Sequence, residues 1–224
     1  VAGHSGYKGD PWGRLQRTSN YLATTTFGTI EDAEATIAHV RSIHERVRGK
    51  DEQGRPYRAS DPHLLMWVHV AEIDAFLRGY QAYAAAPLSD EDADTYVAQA
   101  SVSARKLGVI DPPQTVAELN VVLDGFRPEM ETTPAAREAA RFLLLSPPLP
   151  WSARPGYGAL AAGGVALLPT WSREMLGLPM PDVVARWVAA PLGHLGTATV
   201  RWAMAGLEQH QAEISPRPAR KEAS

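Results

Sequence analysis

The 224-residue sequence predicts an all-α fold, and three observations carry that prediction. Residues that cap helix N-termini recur along the chain, at Asp10, Thr29, Asp61, Ser89, Thr115 and Thr133. Each precedes a segment whose apolar residues return every three or four positions, the period of a helix with one buried face. No stretch alternates apolar and polar residues with period two, and no strand–turn–strand signal is visible.

Taken in order, Asp10-Pro11 reads as an N-cap followed by proline at the first helical position, opening a helix to about Thr24. Thr29 with Asp32 resembles a capping box, with Asp in the usual place of Glu, and opens a helix expected to run to about Arg48. Gly49 stands where a helix end favours glycine. After the polar loop "KDEQGRPYRAS", Asp61-Pro62 starts a long helix through roughly Ala84. Further helices open at Ser89, Thr115 and Thr133-Pro134, with apolar pairs such as Leu119/Val122 and Ala139/Phe142 on one face. Past "SPPLPWSARPGYG" two apolar helices follow, about 158–168 and 182–207, the second with a break expected at Pro191. Residues from Gln211 onward read as a solvated tail, so the expected organisation is one domain over 1–210 and a tail over 211–224.

Composition narrows the function. Hydrophobic residues make up 45% and charged residues 21%, which suits a packed globular chain rather than a disordered one. A net charge of −3 gives no electrostatic reason to expect nucleic acid. With no cysteine, disulfides, thiolate metal sites and cysteine nucleophiles are excluded. The longest uncharged stretch, Pro155 to Ser172, holds two prolines and four glycines, which is broken and short for a spanning helix of about 20 apolar residues. Stable membrane insertion is therefore not expected. "VAGHSGYKGD" lacks a secretory signal, so a cytoplasmic location is expected, although the start on Val1 suggests that an N-terminal part lies outside this chain.

Three constellations could carry chemistry. In "RSIHERVRG", Arg41, His44 and Arg48 are spaced three and four apart, one side of a helix if the helix extends that far. A neutral imidazole there suits iron or zinc, and the guanidinium forks suit an anionic ligand such as a carboxylate or phosphate. On spacing alone, the reading of a solvated face is the stronger one. In "DPWGRLQRTSNYL", Arg14 and Thr18 lie one turn apart with Arg17 beside them; they could orient an oxygen-containing ligand, or face water while Leu15, Tyr21 and Leu22 are buried. In "SDPHLLMWVHVAEIDAFLRGY", His69 and Glu72 share a stripe with Leu65 and Phe76. Their spacing occurs in carboxylate-bridged metal sites, but no second copy is present, and a hydrogen-bonded core histidine is the stronger reading. A phosphate-binding loop, His-Glu-x-x-His and Gly-x-Ser-x-Gly are all missing.

Together, "DPWGRLQRT", "RSIHERVRG", "GRPYRASDPHLLMWVH" and "FLRGY" resemble, in this order, the bacterial rubber oxygenases (latex clearing proteins) and MpaB-like oxygenases, over roughly residues 4 to 180. The resemblance implies an all-α, globin-like arrangement around haem b. It also implies dioxygen-dependent cleavage of carbon–carbon double bonds in a hydrophobic small-molecule substrate. It places the proximal iron ligand on His44 and the arginines of its motif on Arg41 and Arg48; the Arg-x-x-x-Thr pair falls on Arg14 and Thr18. The chain departs from the family at Arg17, where rubber oxygenases carry a lysine. Arginine stays protonated and is a poor iron ligand, so a lysine-capped resting state is not expected. The family's acidic catalytic residue falls upstream, in the part expected to lie outside this chain. The candidates are thus Arg14, Arg17 and Thr18 as catalytic residues, and His44, Arg41, Arg48 and His69 around the cofactor, with His44 on the metal. Two other readings stay open: a non-haem metal enzyme using His44, His69 and Glu72, and a non-catalytic helical module that holds a lipid-like ligand.

Overall fold

The computed structural model describes residues 9–51, 53–178 and 180–214, and the fold is all-α. The helices are α1 (Pro11–Phe27), α2 (Ile30–Arg46), α3 (Pro62–Tyr83), α4 (Asp90–Leu107), α5 (Val116–Phe126), α6 (Pro134–Leu145), α7 (Arg154–Leu167), α8 (Thr170–Met175), α9 (Asp182–Val184) and α10 (Ala190–Ile214). They cluster into two compact units, Val1–Ala136 and Arg137–Ser224. No described helix is long and apolar enough to cross a membrane.

The six expected caps all act. Asp10 Oδ1 accepts from Gly13 N at 2.8 Å, and Asp61 Oδ1 from His63 N at 2.8 Å. The hydroxyls of Ser89, Thr115 and Thr133 each accept from the backbone amide three residues on. Thr29 accepts from Asp32 N at 3.1 Å while its hydroxyl donates to the Asp32 carboxylate at 2.8 Å, so both groups of the box are engaged. Thr29→Ala removes the acceptor at the start of α2 and should lower unfolding free energy by about 1 kcal/mol, measured by urea denaturation.

In the first unit, α3 is the central element. Val70, Ile73 and Leu77 meet Ala93 and Val97 of α4 and Leu119 and Phe126 of α5 in one core. A second cluster joins Leu65 to Ala104 and Val109 near the end of α4. That end is a left-handed glycine, Gly108 at φ 113°, which lets the chain reverse against Leu65. Ser101 is fully buried, and its hydroxyl donates to the Ala98 carbonyl at 2.7 Å and to Gln114 Oε1 at 3.3 Å.

Two sequence expectations are corrected here. The second helix stops at Arg46 rather than near Arg48, because the chain turns extended at Val47. Arg48–Lys50 then forms β1, paired antiparallel with β2 at Pro56–Arg58, so strand is present where none was expected. Three-residue strands are too short to show alternation, and Gly54, at φ 79°, supplies the reversal.

In the second unit α7 packs on α10, closely enough at Gly196 that an added Cβ would fall 2.9 Å from Leu160 Cδ2. The helix expected over 158–168 begins earlier, at Arg154, and the short α8 was not anticipated. The break expected at Pro191 takes the form of a π-helical turn, Ala185–Ala189, in which the Ala190 amide bonds the Ala185 carbonyl. Proline lacks an amide hydrogen and its ring crowds the carbonyl four residues back; the wider turn accommodates it. Arg173 of α8 is buried, its Nη2 donating to Thr170 Oγ1 at 3.1 Å and to Asp182 Oδ1 at 2.6 Å. Residues 211–214 continue α10 rather than starting the tail, and the remainder of the expected tail, 215–224, lies outside the described residues.

Candidate functional site

His44 sits in the last turn of α2, half-buried. Its Nδ1 is buried with no hydrogen-bond partner, and burial pulls the imidazole below its ordinary pKa, so the neutral ring is favoured. One turn earlier, Arg41 turns away along the surface: Nη1 donates to the Lys106 carbonyl at the end of α4 at 3.5 Å, and Nε faces Glu45 at 3.7 Å. Lys106 is itself paired with Glu34 of α2. Glu34 near the start of α2 and Arg41 near its end thus both reach Lys106 at the end of α4. Arg48 does not share a helical face with Arg41 and His44, because it stands on β1 opposite Arg58. The one-sided triad read from the spacing required α2 to continue for another half turn.

His69 lies in the middle of α3, only 9% exposed, with Nε2 buried and unpartnered. Burial lowers its pKa to about 4. One turn on, Glu72 is half-buried, and burial raises its carboxyl above the ordinary range. Two tyrosines from other helices lie near it. Tyr21 of α1 is pushed up to about 12, by burial first and then by the Glu72 charge, although its hydroxyl hydrogen-bonds Ser103 of α4. Tyr96 of α4 is raised by burial and by the same carboxylate. Helices α1, α3 and α4 thus bring two phenols and a carboxyl toward one another, beside a histidine held neutral.

The tyrosines were missed as site residues. In the sequence, Tyr21 looks like one more member of an apolar stripe and Tyr96 like a core residue; only the fold shows that both lie close enough to Glu72 to feel its charge. Ionisation of Tyr21 should be visible near pH 12 as a late phenolate step at 295 nm that Tyr21→Phe abolishes. Because its folded pKa is raised, the stability it contributes is present below pH 10 and is lost as pH rises toward 12.

The α1 candidates are placed on the surface. Arg14, Arg17 and Thr18 are exposed; Arg17 Nη1 pairs with the capping Asp10 at 3.3 Å, and the Thr18 hydroxyl donates to the Arg14 carbonyl at 3.1 Å. Among the described residues no group of three His, Cys, Asp or Glu side chains is placed to hold a metal ion, so His44, His69 and Glu72 are not gathered as a three-ligand set.

Comparison with known proteins follows the same line. Residues 1–206 match the family model described as "ER-bound oxygenase mpaB/B'/Rubber oxygenase, catalytic domain". No curated protein and no solved structure matches the chain. The match spans α1 through most of α10 and contains His44, His69 and the paired strands that follow α2. The chain belongs to the family of mpaB and rubber oxygenase catalytic domains, and by that membership it is an oxygenase.

Proposed function

We propose that the protein is a haem-b-dependent oxygenase that acts with dioxygen on a hydrophobic, unsaturated small molecule, with His44 as the axial iron ligand. The observation that carries this reading is the state of His44: a half-buried imidazole, kept neutral by burial, with a buried nitrogen that no protein group satisfies. A buried polar atom without a partner costs free energy unless a ligand or water completes it, and neutral imidazole is the form that binds iron. The donor set fits the group, since one neutral histidine is what an iron porphyrin asks of a protein.

Haem b, when bound, supplies the redox-active iron that dioxygen chemistry needs. The chain's own residues do the rest. Arg41 positions His44 through the Lys106 carbonyl and Glu45, fixing the last turn of α2. His69 stays neutral in the interior and so adds no charge that would draw in water. Glu72 holds its proton to higher pH than a surface carboxyl, and the hydroxyls of Tyr21 and Tyr96, close enough to feel its charge, are further hydrogen-bond donors. Arg17 is engaged with Asp10 at the start of α1.

The test is the ultraviolet–visible spectrum of the full chain purified after expression with haem supplied. A Soret band, with a pyridine haemochromogen spectrum of the b type, is expected, together with oxygen uptake when an isoprenoid alkene is added. A colourless, iron-free protein would overturn the reading.

A further inference from the structure

The hairpin after α2 has a charge arrangement that the described residues leave unbalanced. Its register pairs Arg48 with Arg58, Gly49 with Tyr57 and Lys50 with Pro56. Side chains directly opposite each other in an antiparallel pair project from the same face, with Cβ atoms roughly 5 Å apart. Alternation puts Lys50 on that face as well. Gly49 and Tyr57 occupy the other face and are half-buried, whereas Arg48, Lys50 and Arg58 are exposed. Two guanidinium groups directly opposite, with an ammonium beside them, destabilise a pair of strands that is only three residues long.

The described carboxylates nearby in sequence are engaged elsewhere. Asp51 holds Arg55 at 2.5 Å, and Glu131 accepts from Gln53. Asp61 caps α3, and Glu45 faces Arg41. Among the described residues no acidic side chain pairs with Arg48, Lys50 or Arg58. The negative end of α2 offsets part of the charge on Arg48, but it does not reach across to β2. The register cannot slip to relieve the contact, because a shift of one residue would turn Tyr57 outward. Ala59 N also bonds the Val47 carbonyl at 3.0 Å and fixes the open end.

We propose that Arg48 and Arg58 form a clamp for an oxyanion, a carboxylate or phosphate, with Lys50 as a third cation. Two planar forks on one face can each take a pair of oxygens, an arrangement that a single surface arginine does not provide. Arg48 follows His44 by four residues, so a carboxylate of the cofactor in the reading above is one source of the anion, and the proposal rests on that reading only for this source. A free phosphate or carboxylate is the other.

Two titrations of the full chain decide between them. In the first, hemin and hemin dimethyl ester are followed at the Soret band, in the native chain and in Arg48→Gln/Arg58→Gln. In the second, inorganic phosphate is followed by calorimetry in both proteins. If the cofactor carboxylate is the anion, the native chain binds hemin about ten-fold more tightly than the ester, and the double variant removes the difference, as does raising the salt. If the anion is free in solution, hemin and ester bind alike, while phosphate binds the native chain and not the variant. The clamp is overturned if the variant changes neither the hemin-to-ester ratio nor phosphate binding; hemin bound through His44 in that case leaves the haem reading standing. Failure of the native chain to bind hemin sinks the haem reading, and the phosphate titration then decides the clamp alone. Without ligand at low salt, the double variant should melt at or above the native temperature, because a repulsion has been removed. If it does not fold, Arg58→Lys, which keeps the charge and loses the fork, replaces it and should weaken binding about five-fold.

Discussion

On the proposed reading, substitution of His44 by alanine should abolish the Soret band while the protein remains folded. The imidazole nitrogen that is buried in the last turn of α2 makes no hydrogen bond, so its removal leaves no partner stranded. The ring is half-buried rather than deep in the core, and truncation should cost less than about 1 kcal/mol in the cofactor-free chain. The expected effect on cofactor retention is of a different size, because the proposed protein–iron bond would be lost outright. Circular dichroism should therefore show native helix content in a colourless protein, and added imidazole should restore part of the absorbance. A Soret band that survives in His44→Ala and vanishes in His69→Ala would move the ligand to α3. Arg41→Ala should leave the band present but broaden or shift it, since that side chain acts on the histidine only by tying its turn to the end of α4.

Acid should weaken the first unit through His69. The ring is 9% exposed and its pKa falls from 6.5 to about 4 on folding, so the unfolded chain binds the extra proton first. Stability is complete above pH 6.5 and is lost progressively as pH drops toward 4, by about 2 to 3 kcal/mol for this group. Glu72 has the opposite sign. Its folded pKa is raised, so its contribution is present below the unfolded value and declines as pH rises. His69→Leu removes the acidic limb and leaves the slope from Glu72, and Glu72→Gln does the reverse. Urea denaturation of the cofactor-free chain between pH 4 and 7 measures both. An unchanged acid limb in His69→Leu would show that the ring is not held neutral by burial.

Much of the fold is legible in the residues. Every start with a side-chain cap was visible, because a cap is a local event: one oxygen at one residue, one amide three positions on. Ends were less visible. Whether α2 stops at Arg46 or continues to Arg48 depends on the pairing of β1 with residues six to ten positions later, and no property of "RVRGK" alone fixes that. This error reached the site, since the predicted common face of Arg41, His44 and Arg48 relied on two more helical residues. His44 and His69 could be nominated from the sequence, but their neutral state could not, because burial is supplied by neighbours distant in sequence. The same holds for Glu72 with Tyr21 and Tyr96, which lie 51 and 24 positions away from it.

The π-turn ahead of Pro191 sets the length the chain can have at that point. A π-turn holds one residue more than the α-turn it replaces, so removing a residue from Ala185–Ala189 would restore an ordinary helix and keep the faces of α9 and α10 in phase. Pro191 would then meet the carbonyl four residues back inside a regular turn, at about 3 kcal/mol. Extra residue and proline are tolerated as a pair, and a chain that changes one in this segment must change the other.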